Sequence, residues 1–428
     1  MAKDKEKDKE KESKVPTVFD LAAKYCKEFK DKNMAIKASI VPKYEKFATG
    51  SFGIDYPLFG GWPEGRIITI SGPEHSGKTT LAYNAIAAYQ KKHPDKKCVF
   101  IDVEHSSDLE HQAKMNHLDL ENLLFIDPPA ELAGETIMDM VRELQDAPDI
   151  GIIAIDSIPA MLPKVVIENS LEEDKGMRAT LAKKYYPFLA MMSGKVREKK
   201  NNLILINQIR EVAGQMPGTT KYVEPGGKAP AYMASVRVRC GSRTLTKDDD
   251  INYTKDDGLD SDGFRLKFKI IKNKCDPINR AGGFITYRLN TGADTLFDFF
   301  EIATKFDFVL KSGGWITLID PKTAEALYYP NQVDEKGNKI IMKDYKKNLM
   351  AYLRDNPEFA NNYIKMLTDY IANDNRTGGK LLDDEDLNEI TQQEEAVKKS
   401  FEAEETTKEE LAYIKQAEEN AEAPATGE

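Results

Sequence analysis

The segment GPEHSGKT at residues 72–79 has the glycine and lysine spacing of a phosphate-binding loop. Glycines let the backbone curl so that successive N–H groups face phosphate oxygens. In such a loop Lys78 reaches the β and γ phosphates, and the hydroxyl of Thr79 binds Mg²⁺. The predicted nucleotide-binding residues of this segment are Gly72, Pro73, Glu74, His75, Ser76, Gly77, Lys78, Thr79 and Thr80. The sequence therefore predicts a nucleoside triphosphate site with Mg²⁺ as its cofactor.

Carboxylates follow two apolar stretches that are predicted to be buried strands. Asp156 ends GIIAID, at the end of a strand where ligands of parallel sheets bind, and is predicted to hold Mg²⁺ beside Thr79. Asp102 and Glu104 end CVFIDVE two positions apart, so a strand would point them the same way. We interpret Glu104 as the group that orients and deprotonates the attacking water. A charged strand end without catalytic chemistry is the alternative.

Neutral amides end a third apolar stretch, NLILINQ. Asn207 and Gln208 could sense a γ-phosphate without adding charge, and the pattern alone does not separate this role from a structural one. Two segments that follow Asp156 and Gln208, PKVVIENSLEEDKG and REVAGQMPGTTKYVEPGGK, are predicted to be functional loops. Their apolar residues Ile167 and Met216 either wedge between nucleic-acid bases or pack locally.

Basic residues alternate along two later stretches, RVRC and RLKFKIIKNK. Strand periodicity would put alternate cations on one face close to these loops, and a simple solvated face is the alternative. In KNK two lysines bracket an Asn immediately before a turn, where they could reach a neighbour's phosphates. The residues concerned are Arg237, Arg239, Lys267, Lys269, Lys272 and Lys274.

The elements that must position these residues form a βαβ series. From Arg66, short apolar runs alternate with helical patterns, which is typical of a parallel sheet covered on both faces. Later stretches with period-two alternation predict antiparallel hairpins that finish the sheet. The predicted fold is α/β: a P-loop NTPase core with a mainly parallel central sheet extended by antiparallel strands. A small N-terminal helix precedes it and a small C-terminal α+β domain follows.

Charge is distributed unevenly along the chain of 428 residues. Residues 383–428 contain 16 acidic residues and four lysines, a net charge of −12. Because the whole chain carries −10, the remainder is close to +2, which leaves nucleic-acid binding open. We expect this acidic tail to be disordered or loosely helical, and either solubilising or competing with DNA for a basic groove.

Other compositional signals exclude several classes of protein. No apolar run is long enough to span a bilayer, and the charged residues 1–14 lack the features of a secretory signal. We therefore expect a cytoplasmic protein with no membrane partner. Four scattered cysteines form no CxxC pair, and His105, His111 and His117 lack the spacing of a helical metal site.

Several motifs together resemble the RecA recombinases. GPEHSGKTTL, FIDVEHSSD, LINQIR, PGGKAPAYMASVR and KNK occur in the order and at the intervals of that family, over residues 47–292. The later stretch LFDFFEIATKFDFVLKSGGWITL resembles the C-terminal region of the UvsX recombinases of bacteriophages. The resemblance implies a DNA-dependent ATPase that forms a helical filament on single-stranded DNA and catalyses homologous pairing and strand exchange with duplex DNA.

The resemblance also implies roles for individual residues. Glu104 would be the catalytic carboxylate, Gln208 the γ-phosphate sensor, and Lys272 and Lys274 the lysines that reach ATP across the subunit interface. Asp108 would lie near adenine, where His111 replaces the aromatic residue common in bacterial relatives. The implied DNA-binding residues of the two loops and their surroundings are Ile167, Arg178, Arg210, Met216, Gly226, Gly227 and Lys228.

The predicted domains are a charged arm (1–14), a helical oligomerisation segment (15–46), the ATPase core (47–292), a small domain (293–380) and an acidic tail (381–428). The implied partners are single-stranded and double-stranded DNA and further copies of the chain, with single-strand-binding and mediator proteins as possible accessories. A hexameric replicative helicase of the same fold and a non-enzymatic DNA-binding scaffold are the alternative functions.

Overall fold

The computed structural model describes residues 17–28, 30, 44–168, 178–213, 220–241, 244–245, 263–277, 280–289, 291–373, 381–382, 387–388, 390–397 and 399. Within these residues it contains nineteen strands and eleven α-helices up to Asn373, and residues 390–397 are also helical. None of the helices in the described ranges is long and apolar enough to cross a membrane.

The helices are α1 Val18–Glu28, α2 Phe52–Asp55, α3 Lys78–Lys92, α4 Leu109–Asn116, α5 Gly134–Leu144, α6 Lys164–Glu168, α7 Arg178–Lys199, α8 Ala229–Met233, α9 Thr295–Lys305, α10 Lys346–Asp355 and α11 Pro357–Asn373. The first ten strands are β1 Lys46–Phe47, β2 Trp62–Pro63, β3 Ile67–Gly72, β4 Lys97–Asp102, β5 Leu123–Ile126, β6 Ile150–Asp156, β7 Asn202–Gln208, β8 Arg210–Ala213, β9 Thr220–Val223 and β10 Val236–Cys240. The others are β11 Thr244–Leu245, β12 Gly263–Asn273, β13 Gly282–Arg288, β14 Gly292–Ala293, β15 Val309–Ser312, β16 Trp315–Leu318, β17 Tyr328–Val333, β18 Lys339–Ile341 and β19 Lys343–Tyr345.

A ten-stranded sheet organises the molecule, with the order β14-β13-β12-β10-β3-β7-β6-β4-β5 and β11 paired to β12. The six strands from β10 to β5 are parallel, and β11 to β14 pair antiparallel. The predicted fold class, a mainly parallel sheet finished by antiparallel strands, is confirmed. Its parallel strands are the continuous apolar runs of the sequence, because both of their faces are covered.

Alternate side chains of the parallel strands enter two different apolar cores. Ile68 and Ile70 of β3 face a core that includes Leu81 and Ile86 of α3. On the other face, Ile67 joins a core formed largely with α5 and α7. Helices pack on both faces of the sheet, and this packing fixes the positions of the side chains at the ends of its strands.

The elements after β14 share a third core, in which α9, α10, α11 and the sheet β15-β16-β19 pack together. This core also includes Phe52, Tyr56 and Phe284, so it continues onto α2 and β13. A buried carboxyl anchors α9 to β13: Asp298 accepts hydrogen bonds from the backbone N and the hydroxyl of Thr286, at 2.8 and 2.5 Å. Burial raises the pKa of Asp298 to about 7, against the effect of the nearby Arg265 and the bonds from Thr286.

Helix α1 belongs to a separate unit, residues 1–45. Its apolar side chains Val18, Phe19, Leu21 and Tyr25 are exposed, and none of its residues is buried. The predicted domain boundaries, including that of an N-terminal oligomerisation segment, stay predictions.

Part of the predicted acidic tail is a buried helix. Residues 390–397 are helical, and Leu387, Ile390 and Val397 are buried. Of the two expectations for the tail, disordered or loosely helical, this part is helical, because these apolar residues recur at helical spacing and cover one face. Residues 400–428 lie outside the described part of the chain.

Candidate nucleotide site

Four neighbouring strands end at or next to predicted site residues. Strands β3, β7, β6 and β4 lie side by side and end at Gly72, Gln208, Asp156 and Asp102. Gly72 is in register with Gln208, and Asp102 with Asp156. The carboxyl edge of the parallel sheet therefore brings together residues that are as many as 136 positions apart in the sequence.

The phosphate-binding loop connects β3 to α3. Gly77 caps α3 with a φ of 83°, and a Cβ there would lie 2.5 Å from Leu266 Cδ1. A Cβ on Gly72 would lie 2.6 Å from Ser76 Oγ. Lys78 Nζ donates to Pro73 O at 2.7 Å, across the loop. Glycine is therefore required at both positions, and the curled backbone brings the lysine ammonium over the loop.

A hydroxyl and a carboxylate meet beside the loop. Thr79 Oγ1 donates to Asp156 Oδ2 at 2.5 Å. Burial raises the pKa of Asp156 to about 7, and the carboxylates of Glu104 and Asp102 add to the rise, whereas the Thr79 bond and Lys78 oppose it. A divalent cation at this position would favour the ionised carboxylate.

Glu104 is held by two neighbours. Its Oε1 accepts hydrogen bonds from Ser157 Oγ and from Gln208 Nε2. Backbone bonds from Val103 N and Glu104 N to Asp156 O join the ends of β4 and β6. The carboxylate is thereby oriented at the strand ends, next to the Thr79 and Asp156 pair.

Asp102 and Glu104, which strand alternation predicts to point the same way, differ in burial and in hydrogen-bond partners. Strand β4 ends at Asp102, so the alternation does not continue to Glu104. Asp102 is buried and accepts from Ser107 N at 2.8 Å, whereas Glu104 is half-buried. Of the two carboxylates, Glu104 is therefore the one accessible to a ligand.

The residues present fit a nucleotide with Mg²⁺. Thr79 and Asp156 offer hard oxygen ligands, and the buried Asp102 Oδ1 has no hydrogen-bond partner among the described residues. The described residues contain no cluster of three or more His, Cys, Asp or Glu side chains suited to a metal. This donor set suits Mg²⁺, which keeps several waters and binds through one or two protein ligands plus substrate phosphates.

The two amides at the end of β7 differ in their contacts. Gln208 reaches Glu104, whereas Asn207 Nδ2 donates to Glu224 Oε1 at 3.3 Å and to Pro225 O at 2.9 Å. Ser157 and Glu224 also lie in the network that holds the site, although neither was predicted as a site residue. Their only signals in the sequence are that Ser157 directly follows Asp156 and that Glu224 lies within the predicted second loop.

Lys272 and Lys274 lie at the opposite end of the sheet along the strand direction, where the parallel strands β10 and β3 begin. Asn273 pairs with Val236, which is level with Ile68, about 13 Å along β3 from Gly72. Lys272 Nζ donates to Ala231 O and Tyr232 O at 2.9 and 2.8 Å. Partial burial, together with the nearby Lys274 and Arg237, lowers the pKa of Lys272 to about 8. These lysines are not part of the nucleotide site of their own chain.

Arg237 and Arg239 do not form an accessible basic face, which corrects the prediction from alternation. Their side chains on β10 are buried against the carboxylates of Glu224 and Glu394. Strand β10 lies inside the sheet and both of its faces are covered. Its alternating arginine side chains therefore lie on one face but are not exposed to solvent.

The predicted DNA-binding residues are dispersed. Both predicted loops contain regular elements: α6 in the first and the β8-β9 hairpin in the second, which ends where α8 begins. These elements are too short to give a clear sequence pattern. Ile167 is half-buried in α6, and Arg210 is exposed at the start of β8. Gly226 and Gly227 have φ values of 92° and 72°, and Lys228 caps α8. Arg178 begins α7 with its side chain outside the described set, and Met216 lies outside the described residues.

Asp108 caps helix α4, since its Oδ1 accepts from His111 N at 3.0 Å. Both residues are exposed. Asp108 therefore has a structural role, because an N-cap carboxylate stabilises the first turn of a helix. A contact with adenine stays a prediction.

The sheet, the phosphate-binding loop and the strand-end carboxylates define the chain as a P-loop protein of the α/β class. The RecA N-terminal domain model matches residues 22–289. Protein RecA of Campylobacter hominis is 30% identical over 356 residues, which cover 83% of this chain and 91% of the relative. Protein RecA of Wolinella succinogenes is 33% identical over 75% of this chain and 81% of the relative. Protein RecA of Campylobacter lari is 31% identical over 81% of this chain and 90% of the relative.

The chain therefore belongs to the RecA family, and it is a recombinase of the RecA type. Neither the matched family nor these relatives favour the hexameric helicase. The narrower resemblance to the UvsX recombinases stays a prediction.

Proposed function

We propose that this chain hydrolyses ATP with Mg²⁺ at the edge of the sheet formed by β3, β7, β6 and β4, and that DNA stimulates the reaction. One observation carries the proposal: Glu104, held by Ser157 and Gln208, lies beside the Thr79 and Asp156 pair at the phosphate-binding loop. A carboxylate fixed there is suited to take a proton from water that attacks the γ-phosphate.

The residues of the site have separate tasks in this proposal. Backbone N–H groups of residues 74–79 bind the phosphate oxygens, and Lys78 exchanges its bond to Pro73 O for the β and γ phosphates. Thr79 and Asp156 would hold Mg²⁺, which when bound would neutralise charge on the phosphate oxygens. Glu104 orients the water and accepts its proton, and Gln208 changes partner between Glu104 and the γ-phosphate.

The site is completed by a neighbouring protomer. Lys272 and Lys274 lie about 13 Å along the sheet from the loop of their own chain, so they are available to the ATP of another copy. A head-to-tail contact of this kind does not close on itself when it repeats with a helical rotation, and it produces a filament. In this filament the exposed apolar face of α1 would dock on the next protomer.

We place DNA on the segments around α6, the β8-β9 hairpin and α8. Their exposed or half-buried residues include Ile167, Arg210 and Lys228. Single-stranded DNA would bind first and duplex DNA second, which is the order that strand exchange needs. Single-strand-binding and mediator proteins are candidate accessories, and the cytoplasm is the expected location.

Hydrolysis and filament formation can be tested together. The protein is mixed with single-stranded DNA and a slowly hydrolysed ATP analogue for electron microscopy, and phosphate release from ATP is measured in parallel. We expect a striated helical filament and DNA-stimulated release that Lys78→Ala abolishes. Closed rings would favour a helicase, and DNA binding that persists without ATP dependence would favour a scaffold.

A further inference from the structure

A buried cluster of four charges joins the C-terminal segment to β10. Glu224 Oε2 accepts from Arg237 Nη2 at 3.0 Å and from Arg239 Nη2 at 2.9 Å. Glu394 Oε2 accepts from the same Arg239 nitrogen, and its Oε1 lies 3.4 Å from Arg237 Nη1. The Arg239 side chain is 0% exposed. Two carboxylates thus balance two guanidinium groups away from water.

The segment that carries Glu394 is seated by apolar contacts on both sides of this residue. Leu387, Ile390 and Val397 are buried, and Ile390 lies against Gly241, where a Cβ would come within 2.9 Å of Ile390 Cγ1. Lys269 Nζ donates to Thr391 Oγ1. Glu394 therefore lies on the buried face of this segment, whereas Glu395 beside it is exposed.

The cluster continues to the nucleotide site through one residue. Glu224 is shared: Oε2 binds the arginines, and Oε1 accepts from Asn207 Nδ2 at 3.3 Å. Asn207 directly precedes Gln208, whose Nε2 donates to Glu104. Without Glu394, one carboxylate would face two buried guanidinium groups. Glu224 would then be drawn towards the arginines and away from Asn207.

We propose that Glu394 is a positioning residue for the nucleotide site: by balancing Arg237 and Arg239 it leaves Glu224 free to hold Asn207, and so fixes the end of β7 from which Gln208 reaches either Glu104 or the γ-phosphate. This inference rests on the ATP hydrolysis proposed above. It makes residues 390–397 a part of the catalytic core, although about 180 residues separate them from the end of β7 in the sequence.

The test compares Glu394→Gln with Glu395→Gln, the same change at the exposed neighbour. Steady-state ATP hydrolysis with single-stranded DNA gives kcat and KM, and thermal unfolding gives the midpoint. For Glu394→Gln we expect kcat to fall about tenfold, a KM for ATP within about twofold of wild type, and a lower midpoint. Glu395→Gln should match the wild type in all three.

A charge-balanced double variant, Arg239→Met with Glu394→Met, guards against a simple folding defect. It leaves Arg237 paired with Glu224, so kcat should recover to within about threefold of wild type. A lower midpoint with unchanged kcat in Glu394→Gln would make the contact merely structural and overturn the proposal. So would a double variant that folds but stays as slow as the single one.

The outcome also separates this proposal from the one on which it rests. If the wild-type protein hydrolyses no ATP, the proposed hydrolysis fails, and the positioning role fails with it. If the wild type is active and Glu394→Gln equals it, only the positioning role of Glu394 is rejected.

Discussion

Single side chains at the strand ends decide the chemistry of the site. Asp156 and Thr79 form a pair of hard oxygen ligands, whereas Glu104 lies two residues beyond the end of its strand and accepts hydrogen bonds from Ser157 and Gln208. Asp102, at the end of the same strand, is buried. Neighbouring carboxylates therefore differ in exposure and partners, and only Glu104 is suited to proton transfer from water.

Replacement of Glu104 by Gln should slow ATP hydrolysis by roughly 10²- to 10⁴-fold, because the amide cannot accept the proton. Nucleotide binding should persist, since Lys78 and the loop backbone are unchanged. Phosphate release and the binding of a fluorescent ATP analogue measure the two effects. Glu110→Gln, an exposed carboxylate on α4, is the matched control. Unchanged turnover in Glu104→Gln would contradict the assignment of this residue.

Whole elements are held to the sheet by buried polar contacts as well as by apolar packing. Helix α9 is joined to β13 through Asp298 and Thr286, and residues 390–397 are joined to β10 through Glu394. Such contacts fix orientation, but a buried carboxylate is costly when it ionises. The stability of the α9 contact should therefore depend on pH.

The folded-state pKa of Asp298, about 7, is above its ordinary value of 3.8. Between these values the folded state binds more protons than the unfolded state, so wild-type stability falls as pH rises from about 4 to 7. Asp298→Asn removes this loss. We expect its free energy of unfolding, relative to wild type, to rise by about 4 kcal/mol between pH 4 and pH 8.

Chemical denaturation across this pH range measures the difference. Asp149→Asn, which changes an exposed carboxyl, is the control and should give a flat difference. A flat difference for Asp298→Asn as well would show that this carboxyl is ionised in the folded protein throughout the range.

At the scale of the whole molecule, one chain carries two parts of the proposed site at opposite ends of its sheet along the strand direction. Lys272→Ala should therefore reduce hydrolysis in filaments, as should Lys78→Ala. In an equal mixture of the two variants, about one quarter of the interfaces would join an intact loop to intact lysines. We expect partial recovery of phosphate release in that mixture.

Mixing Lys311→Ala with Lys78→Ala provides the control, because Lys311 is an exposed lysine of β15. This control reports the activity expected from simple dilution of an active protein. Absence of recovery at every ratio of Lys272→Ala to Lys78→Ala would mean that the lysines do not act between protomers.

The acidic tail has two parts with different expected effects. Residues 401–428 carry nine acidic residues and two lysines, whereas Glu394 belongs to the buried segment before them. Truncation after Ser400 should raise duplex-DNA affinity and steepen its salt dependence, because competing negative charge is removed. The unfolding midpoint should not change. If the truncated and full-length chains gave the same salt titrations of duplex binding, residues 401–428 would not compete with DNA and would serve only solubility.

Local sequence was sufficient for the features that depend on neighbours in the chain. The phosphate-binding loop, the buried strands and the carboxylates at their ends could be predicted because a strand, a turn and a helix follow one another within a few residues. The parallel arrangement then implied that Gly72, Asp156 and Gln208 would meet at one edge.

Contacts between distant residues could not be predicted in this way. The alternation of RVRC indicated a basic face, but Arg239 meets Glu394, 155 positions away, and both are buried. The different contacts of Asn207 and Gln208 could not be predicted either. Both are amides at the end of one apolar stretch, but Asn207 donates to Glu224 and Gln208 donates to Glu104. The position of Lys272 at the opposite end of the sheet from Gly72 also follows from strand order alone. Burial and pairing of charges depend on which strands and helices become neighbours in space, and no local pattern encodes that.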